Sequence, residues 1–140
     1  MQFTKVQRRF APAPIGERAH GIYLIHLDEP LGNPEGHQAR HYIGASDNLR
    51  KRILCQLKGK SGAAAMLRFA KRVGIDARVA RVLLTHEDKV WEIERRLKDR
   101  KMGARYCPIC NPLAGAITFN GEALSELDDV NIKAFVEIPF

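Results

Sequence analysis

The chain predicts a single small α/β domain. Three observations carry that expectation: two short apolar runs bounded by turn residues over 21–45, two successive helical periodicities over 46–74, and an alternating run at 76–85 followed by another helical stretch. The element order is β-β-α-α-β-α. With 140 residues, of which 45% are hydrophobic and 28% charged, the chain can enclose a core without being disordered or membrane-spanning. No apolar run approaches the roughly 20 residues a spanning helix needs.

Residues 1–19 form a Pro/Ala-rich arm that lacks the apolar stretch of a secretory signal, so the expected setting is the cytoplasm. "GIYLIHL" (21–27) is apolar on both faces, as a central strand is, and "ARHYIGA" (39–45) supplies a second strand. Between them "DEPLGNPEGHQ" carries the Pro, Gly, Asn and Asp of a long hairpin loop. Ser46 offers an N-cap for a helix carried by Leu49, Ile53 and Leu57 and stopped by Gly59. Ser61 offers a cap for a second helix, with Met66, Leu67, Ala70 and Val73 on one face and Gly74 at its end. "DARVARVLLT" (76–85) alternates as a third strand and, by strict alternation, sends Arg78 and Arg81 to opposite faces. Thr85 with Asp88 resembles a capping box opening a third helix on Val90, Ile93 and Leu97. In the C-terminal extension (112–140), "GEALSEL" reads as a short helix and "NIKAFVEIP" as an edge strand.

The charge is uneven. Residues 1–111 hold 22 of the 23 Lys and Arg against 11 of the 16 Asp and Glu, a net of +11, and the remaining residues carry a net of −4. A basic body of this kind fits a polyanionic partner, although charge alone equally fits a solvated surface. Cys55, Cys107 and Cys110 are an odd number, which favours free thiols over a disulfide framework.

Two residues break the apolar patterning. Glu94 falls inside the arc of Val90, Ile93 and Leu97, where an ionised carboxylate is costly unless a cation satisfies it. Glu92, by contrast, lies off that stripe and four residues before Arg96, as in a solvated ion pair. Arg52 lies about 60° from the stripe of the first helix, placed to pack its stem and aim its head into a cleft. Periodicity alone fits a catalytic pair, a buried Arg-Glu pair, or two surface residues.

Gly21-Ile22-Tyr23, then Tyr42-Ile43-Gly44, then "ASDNLRKRI" with Arg52 and "EIERRLK" with Glu94, in that order, resemble the GIY-YIG nuclease family over residues 20–111. The resemblance implies a three-stranded antiparallel sheet flanked by helices and an endonuclease that hydrolyses phosphodiester bonds of nucleic acid, DNA in the first instance. It implies that Tyr23 serves as general base or water-orienting group with Tyr42 beside it, that Arg52 steadies the phosphate, and that Glu94 holds Mg²⁺ or Mn²⁺. It also implies site support from Gly44 and from Asn111, where the family closes with asparagine. Gln56 stands where many members have histidine, and the 18 residues between the tyrosines imply an extended hairpin loop.

Such chemistry is coherent, because a fixed guanidinium and a metal ion oppose the charge that builds on a phosphorus-centred transition state. The competing reading is an inactive module of the same fold that binds nucleic acid or a protein.

Other residues make lesser claims. Arg50, Lys51, Lys58 and Lys60 are candidate phosphate contacts around the first helix, or a solvated face. His20 and His41 flank the motifs and could touch substrate. Trp91 and Phe69 are expected in the core rather than stacked on bases. Cys107-Pro108-Ile109-Cys110 has the spacing of half a zinc site; without a second cysteine pair it reads as a turn, with Cys55 and a histidine the conceivable completion. The expected assembly is a monomer or weak dimer, with a protein partner as one source of specificity.

Overall fold

The computed structural model describes residues 19–36, 38–85, 87–100, 103–114 and 123–127. Its elements are β1 (Gly21–Gly32), β2 (Gln38–Ser46), α1 (Leu49–Lys58), α2 (Ala65–Arg72), β3 (Ala77–Thr85), a 3-10 turn (Glu87–Lys89), α3 (Val90–Arg100), α4 (Gly103–Tyr106) and β4 (Ala123–Leu127). The strands pair antiparallel in the order β2-β1-β3-β4. The expected three-stranded antiparallel sheet flanked by helices is therefore present in its β-β-α-α-β-α order, and the C-terminal extension adds a fourth strand. Among the described residues no helix is long and apolar enough to cross a membrane.

Successive side chains of a strand point to opposite faces, so a strand with two apolar faces must be covered on both. β1 meets that requirement. Tyr23, Ile25 and Leu27 pack with Leu49 and Ile53 of α1 and Leu67 and Ala70 of α2 on one face. Ile22 and Leu24 pack with Ala80, Leu83, Ile93 of α3, Tyr106 and Cys107 on the other. Ile25, Leu27, Leu49 and Ile53 are fully enclosed, each contributing about 1.5–3 kcal/mol relative to exposure.

The two motif glycines are demanded by close approach. Tyr23 pairs with Gly44 across β1 and β2, and a Cβ on Gly44 would overlap the Tyr23 hydroxyl and ring. A Cβ on Gly21 would run into the Leu83 carbonyl oxygen of β3 and the Leu49 side chain of α1. Each glycine lets another group lie flat on the backbone.

Several local expectations are corrected. The hairpin segment is partly strand: β1 and β2 resume pairing at Leu31–Ala39 and Gly32–Gln38 after an irregularity that begins beyond His26. The turn beyond Gly32 is closed by Gly36 N–H on Asn33 O at 2.9 Å and by Glu35 N–H on the Asn33 side chain at 2.9 Å. Pro30 is accommodated because it falls where the register shifts.

Asn48, not Ser46, caps α1 by accepting from Lys51 N, while the Ser46 hydroxyl accepts from Asn48 N at 2.9 Å. Gly59 ends α1 in the left-handed region at φ 62°, as expected. α2 starts after Ala64, beyond Ser61, because the Gln56 side chain reaches across from α1 to accept the Ala64 N–H at 2.8 Å. Thr85 ends β3, its N–H bonded to His20 O, so it does not open a helix, and α3 proper follows the 3-10 turn. Val90 and Ile93 are buried as the stripe predicts, and the Glu92–Arg96 pair forms at 3.9 Å.

"GEALSEL" contributes β4 rather than a helix. β3 would otherwise present unpaired N–H and C=O groups, and pairing Val82–Leu84 with Ser125–Leu127 satisfies them, overriding the helical preference of Ala, Leu and Glu. "NIKAFVEIP" lies outside the described residues.

A bulge in β3 corrects the placement of its two arginines. Val79 and Arg81 oppose consecutive β1 residues, Ile25 and Leu24, so Ala80 is the extra residue and the alternation shifts. Arg78 then opposes His26 and Arg81 opposes Leu24, which puts both on the same face. Trp91 and Phe69 are exposed at 58% and 46%, not buried, because Val90 and Ile93 fill the α3 core face and Leu67 and Ala70 fill that of α2.

Candidate functional site

The sheet carries two side-chain clusters, one on each face. On the α1/α2 face, Tyr23 of β1 and Tyr42 of β2 stand with ring centroids 6.3 Å apart and planes tilted by 38°. Tyr23 is 1% exposed, whereas Tyr42 is only half-buried. Behind Tyr23 lies Gln56, whose Nε2 donates to the Tyr23 hydroxyl at 2.9 Å. The Gln56 amide is thus used at both ends, once on the phenol and once on the start of α2. That leaves the Tyr23 proton free to be donated elsewhere.

Burial pushes the Tyr23 phenol above its ordinary value; the Gln56 donor opposes this, Tyr42 reinforces it, and the Arg52 guanidinium opposes it by charge and hydrogen bonding. At neutral pH Tyr23 is a protonated phenol, suited to donate a hydrogen bond or orient a water rather than to act unaided as a base. Arg52 is half-buried on α1, with Nη1 donating to Gly62 O at 2.9 Å, so the loop between α1 and α2 fixes its head. The structure therefore brings together Tyr23, Tyr42, Arg52 and Gln56.

Glu94 is half-buried on α3, whose Ile93 packs against Ile22 and Leu24 on the face of β1 opposite the tyrosine cluster. Of the expected phosphate contacts, Lys51, Lys58 and Lys60 are exposed around α1, while Arg50 is buried at 7% exposure and is not part of that surface.

On the opposite face, His26 of β1 and His41 of β2 are directly paired in register, with rings edge-on at 5.3 Å. The turn Cys107–Cys110 folds against them, so that His26 Nδ1, His41 Nε2 and both sulfurs lie within 4.8 Å of one another. Burial, with His26 and Arg40, lowers the His41 imidazole to about 4; burial, with Arg78 and Arg40, lowers His26 against the pull of Asp28. Burial pushes the Cys107 thiol up.

Arg81 positions this turn from β3. It is 4% exposed, donates to Tyr106 O at 3.0 Å and Ala114 O at 3.1 Å, and lies 5.9 Å from the Tyr106 ring centre. Asn111 belongs here too: its Nδ2 donates to Arg105 O at 2.8 Å and its Oδ1 accepts Leu113 N at 3.1 Å. The asparagine that the family resemblance marks for site support braces the cysteine turn, and His41 faces the same turn.

The sequence showed the Cys-x-x-Cys half but not its completion. The side chains that the fold gathers against the pair are His26 and His41, not Cys55, which instead lies 4.0 Å from Arg52 Nη1. His26 sits within an otherwise apolar run, and only the β1–β2 register sets it opposite His41. Comparison of the chain with protein-family models, curated proteins and solved structures finds no match in any of the three.

Proposed function

We propose that the α1/α2-face cluster is the centre of a GIY-YIG-type endonuclease that hydrolyses phosphodiester bonds of nucleic acid, DNA in the first instance. The observation that carries this reading is the convergence of Tyr23, Tyr42 and Arg52 from β1, β2 and α1, with Arg52 tuning Tyr23. Arg52 and Tyr42, both half-buried, are the groups a backbone phosphate would meet first. A guanidinium held by Gly62 O and shared with Tyr23 still offers donors to phosphate oxygens and opposes the charge of the transition state. Tyr23, polarised by Gln56, donates or orders water behind them.

Glu94, half-buried on the helix whose Ile93 packs against the opposite face of β1, would be the carboxylate that holds a hard divalent ion such as Mg²⁺ or Mn²⁺, since a single carboxylate leaves the ion its waters and room for substrate oxygens. Such an ion supplies Lewis acidity and a water of lowered pKa. Lys51, Lys58 and Lys60 would bind flanking phosphates, with affinity falling steeply as salt rises. A cytoplasmic setting and a monomeric or weakly dimeric state complete the reading.

The second reading, an inactive nucleic-acid-binding module, is favoured by the burial of Tyr23 behind Tyr42. Nicking of supercoiled plasmid and cleavage of a branched oligonucleotide, with Mg²⁺, Mn²⁺ or neither, separate the two. Metal-dependent cleavage that Glu94→Gln abolishes with DNA affinity retained supports the nuclease, and Arg52→Ala should then lower turnover by about 10²–10³-fold. Salt-sensitive binding with no cleavage of either substrate selects the module.

A further inference from the structure

We propose that His26, His41, Cys107 and Cys110 form a closed structural zinc site, separate from the tyrosine cluster and independent of the nuclease reading. Tetrahedral Zn²⁺ with Zn–N of about 2.0–2.1 Å and Zn–S of about 2.3 Å requires ligand atoms about 3.3–3.4 Å apart for N–N and about 3.5–3.6 Å for N–S. The structure places His26 Nδ1 and His41 Nε2 3.4 Å apart. Cys107 Sγ and Cys110 Sγ lie 3.6 and 3.5 Å from His26 Nδ1, and Cys110 Sγ lies 3.4 Å from His41 Nε2. Four of the six pairs of donor atoms thus lie within about 0.2 Å of the edges of one tetrahedron, and all four atoms lie within 4.8 Å of one another.

The donor chemistry selects the ion. Two thiolates with two imidazoles suit Zn²⁺, whereas Mg²⁺ requires oxygen ligands. The surroundings also match a built metal centre. The second ring nitrogen of His26, Nε2, faces Asp28 Oδ1 at 3.8 Å, and Asp28 is held in turn by Arg78 Nε at 3.1 Å. At that distance Asp28 is a charge beside the ring rather than a hydrogen-bond partner, and a small closure would give the carboxylate-histidine pairing that orients ligating imidazoles. Cys107 and His26 are buried, and Arg81 and Asn111 hold the turn that delivers the thiols.

Four protein ligands leave no open coordination position, so the ion does not touch substrate. Its role is to tie the turn after α4 to the β1–β2 hairpin, and thereby to hold the strand that carries Tyr23. Loading releases the cysteine protons to solvent. A chelator would strip this site as well as a Mg²⁺ site, so loss of cleavage in chelator does not identify the metal on Glu94, whereas Glu94→Gln does.

The test uses the full chain purified under reducing conditions. Elemental analysis should find one zinc per chain in the wild-type protein and in Cys55→Ser, and zinc affinity in Cys110→Ser should fall by about tenfold or more. After zinc removal, titration of the reduced wild-type protein with Co²⁺ should saturate at one equivalent. It should show the visible bands of a tetrahedral ion and a thiolate-to-metal charge-transfer band, both erased by Zn²⁺. Absence of bound zinc together with absence of a tetrahedral cobalt spectrum overturns the proposal, as does unchanged zinc binding in Cys110→Ser. Should Cys110→Ser fail to fold, the wild-type cobalt titration decides alone. Cleavage activity enters none of these readouts, so failure of the zinc site and failure of the nuclease are seen separately.

Discussion

Replacing Gln56 with leucine removes a buried amide that serves two partners at once. Gln56 is 1% exposed, donates to the Tyr23 hydroxyl at 2.9 Å and accepts the Ala64 N–H at 2.8 Å. Leucine has similar bulk, so the change is chiefly the loss of both bonds. A buried polar group left without a partner costs about 1–3 kcal/mol, and burying an apolar side chain offsets part of the total, for a net loss of about 2–4 kcal/mol. For a chain of this size that corresponds to a fall in melting temperature of about 6–15 °C.

Urea denaturation at neutral pH measures the loss directly. A double-mutant cycle with Tyr23→Phe isolates the Gln56–Tyr23 bond, whose coupling should be about 1 kcal/mol. The Gln56 donor lowers the Tyr23 pKa, so ultraviolet titration of Gln56→Leu should place the Tyr23 phenolate at higher pH than in the wild type. A stability change under about 0.5 kcal/mol would refute the claim that this bond organises the site.

Three further outcomes are expected. Gly44→Ala places a methyl group against the Tyr23 ring, so it should destabilise the fold by about 1–3 kcal/mol in denaturant melts and, if the nuclease reading holds, cut cleavage by about 10²-fold through displacement of the phenol. Because burial raises the folded Tyr23 pKa above its unfolded value of about 10, its stabilisation is complete below that pH and is lost as pH rises through the folded pKa. Tyr23→Phe should therefore show a shallower alkaline loss of stability than the wild type. Arg81→Met strips the donors from Tyr106 O and Ala114 O, at a cost of about 3 kcal/mol. In metal-free protein it should also speed reaction of Cys107 with a thiol reagent, while protection equal to the wild type would remove Arg81 as the brace of that turn.

The site was legible in parts for identifiable reasons. Periodicity places Tyr23, Tyr42 and Arg52 on β1, β2 and α1, but their convergence was implied only by the family resemblance, since strand pairing is not a local property. Gln56 looked like a departure from the family pattern, but its use by Tyr23 and Ala64 together depends on how α1 meets α2. Arg81 was assigned to the face opposite Arg78 because the bulge at Ala80 leaves no mark in an alternating run. "GEALSEL" failed as a helix because its own preference lost to the open edge of β3.

By itself the sequence determined the α/β class, the order of elements and the double-faced burial of β1, all of which follow from periodicity and turn residues. Only the tertiary structure decided that His26 and His41 meet the Cys107–Cys110 turn 66 or more residues along the chain, and that Asn111 serves that turn. The physical reason is register. A shift of one residue in the pairing of β1 with β2 would send one histidine to the other face, and nothing in the local pattern specifies that pairing until the whole core closes around it.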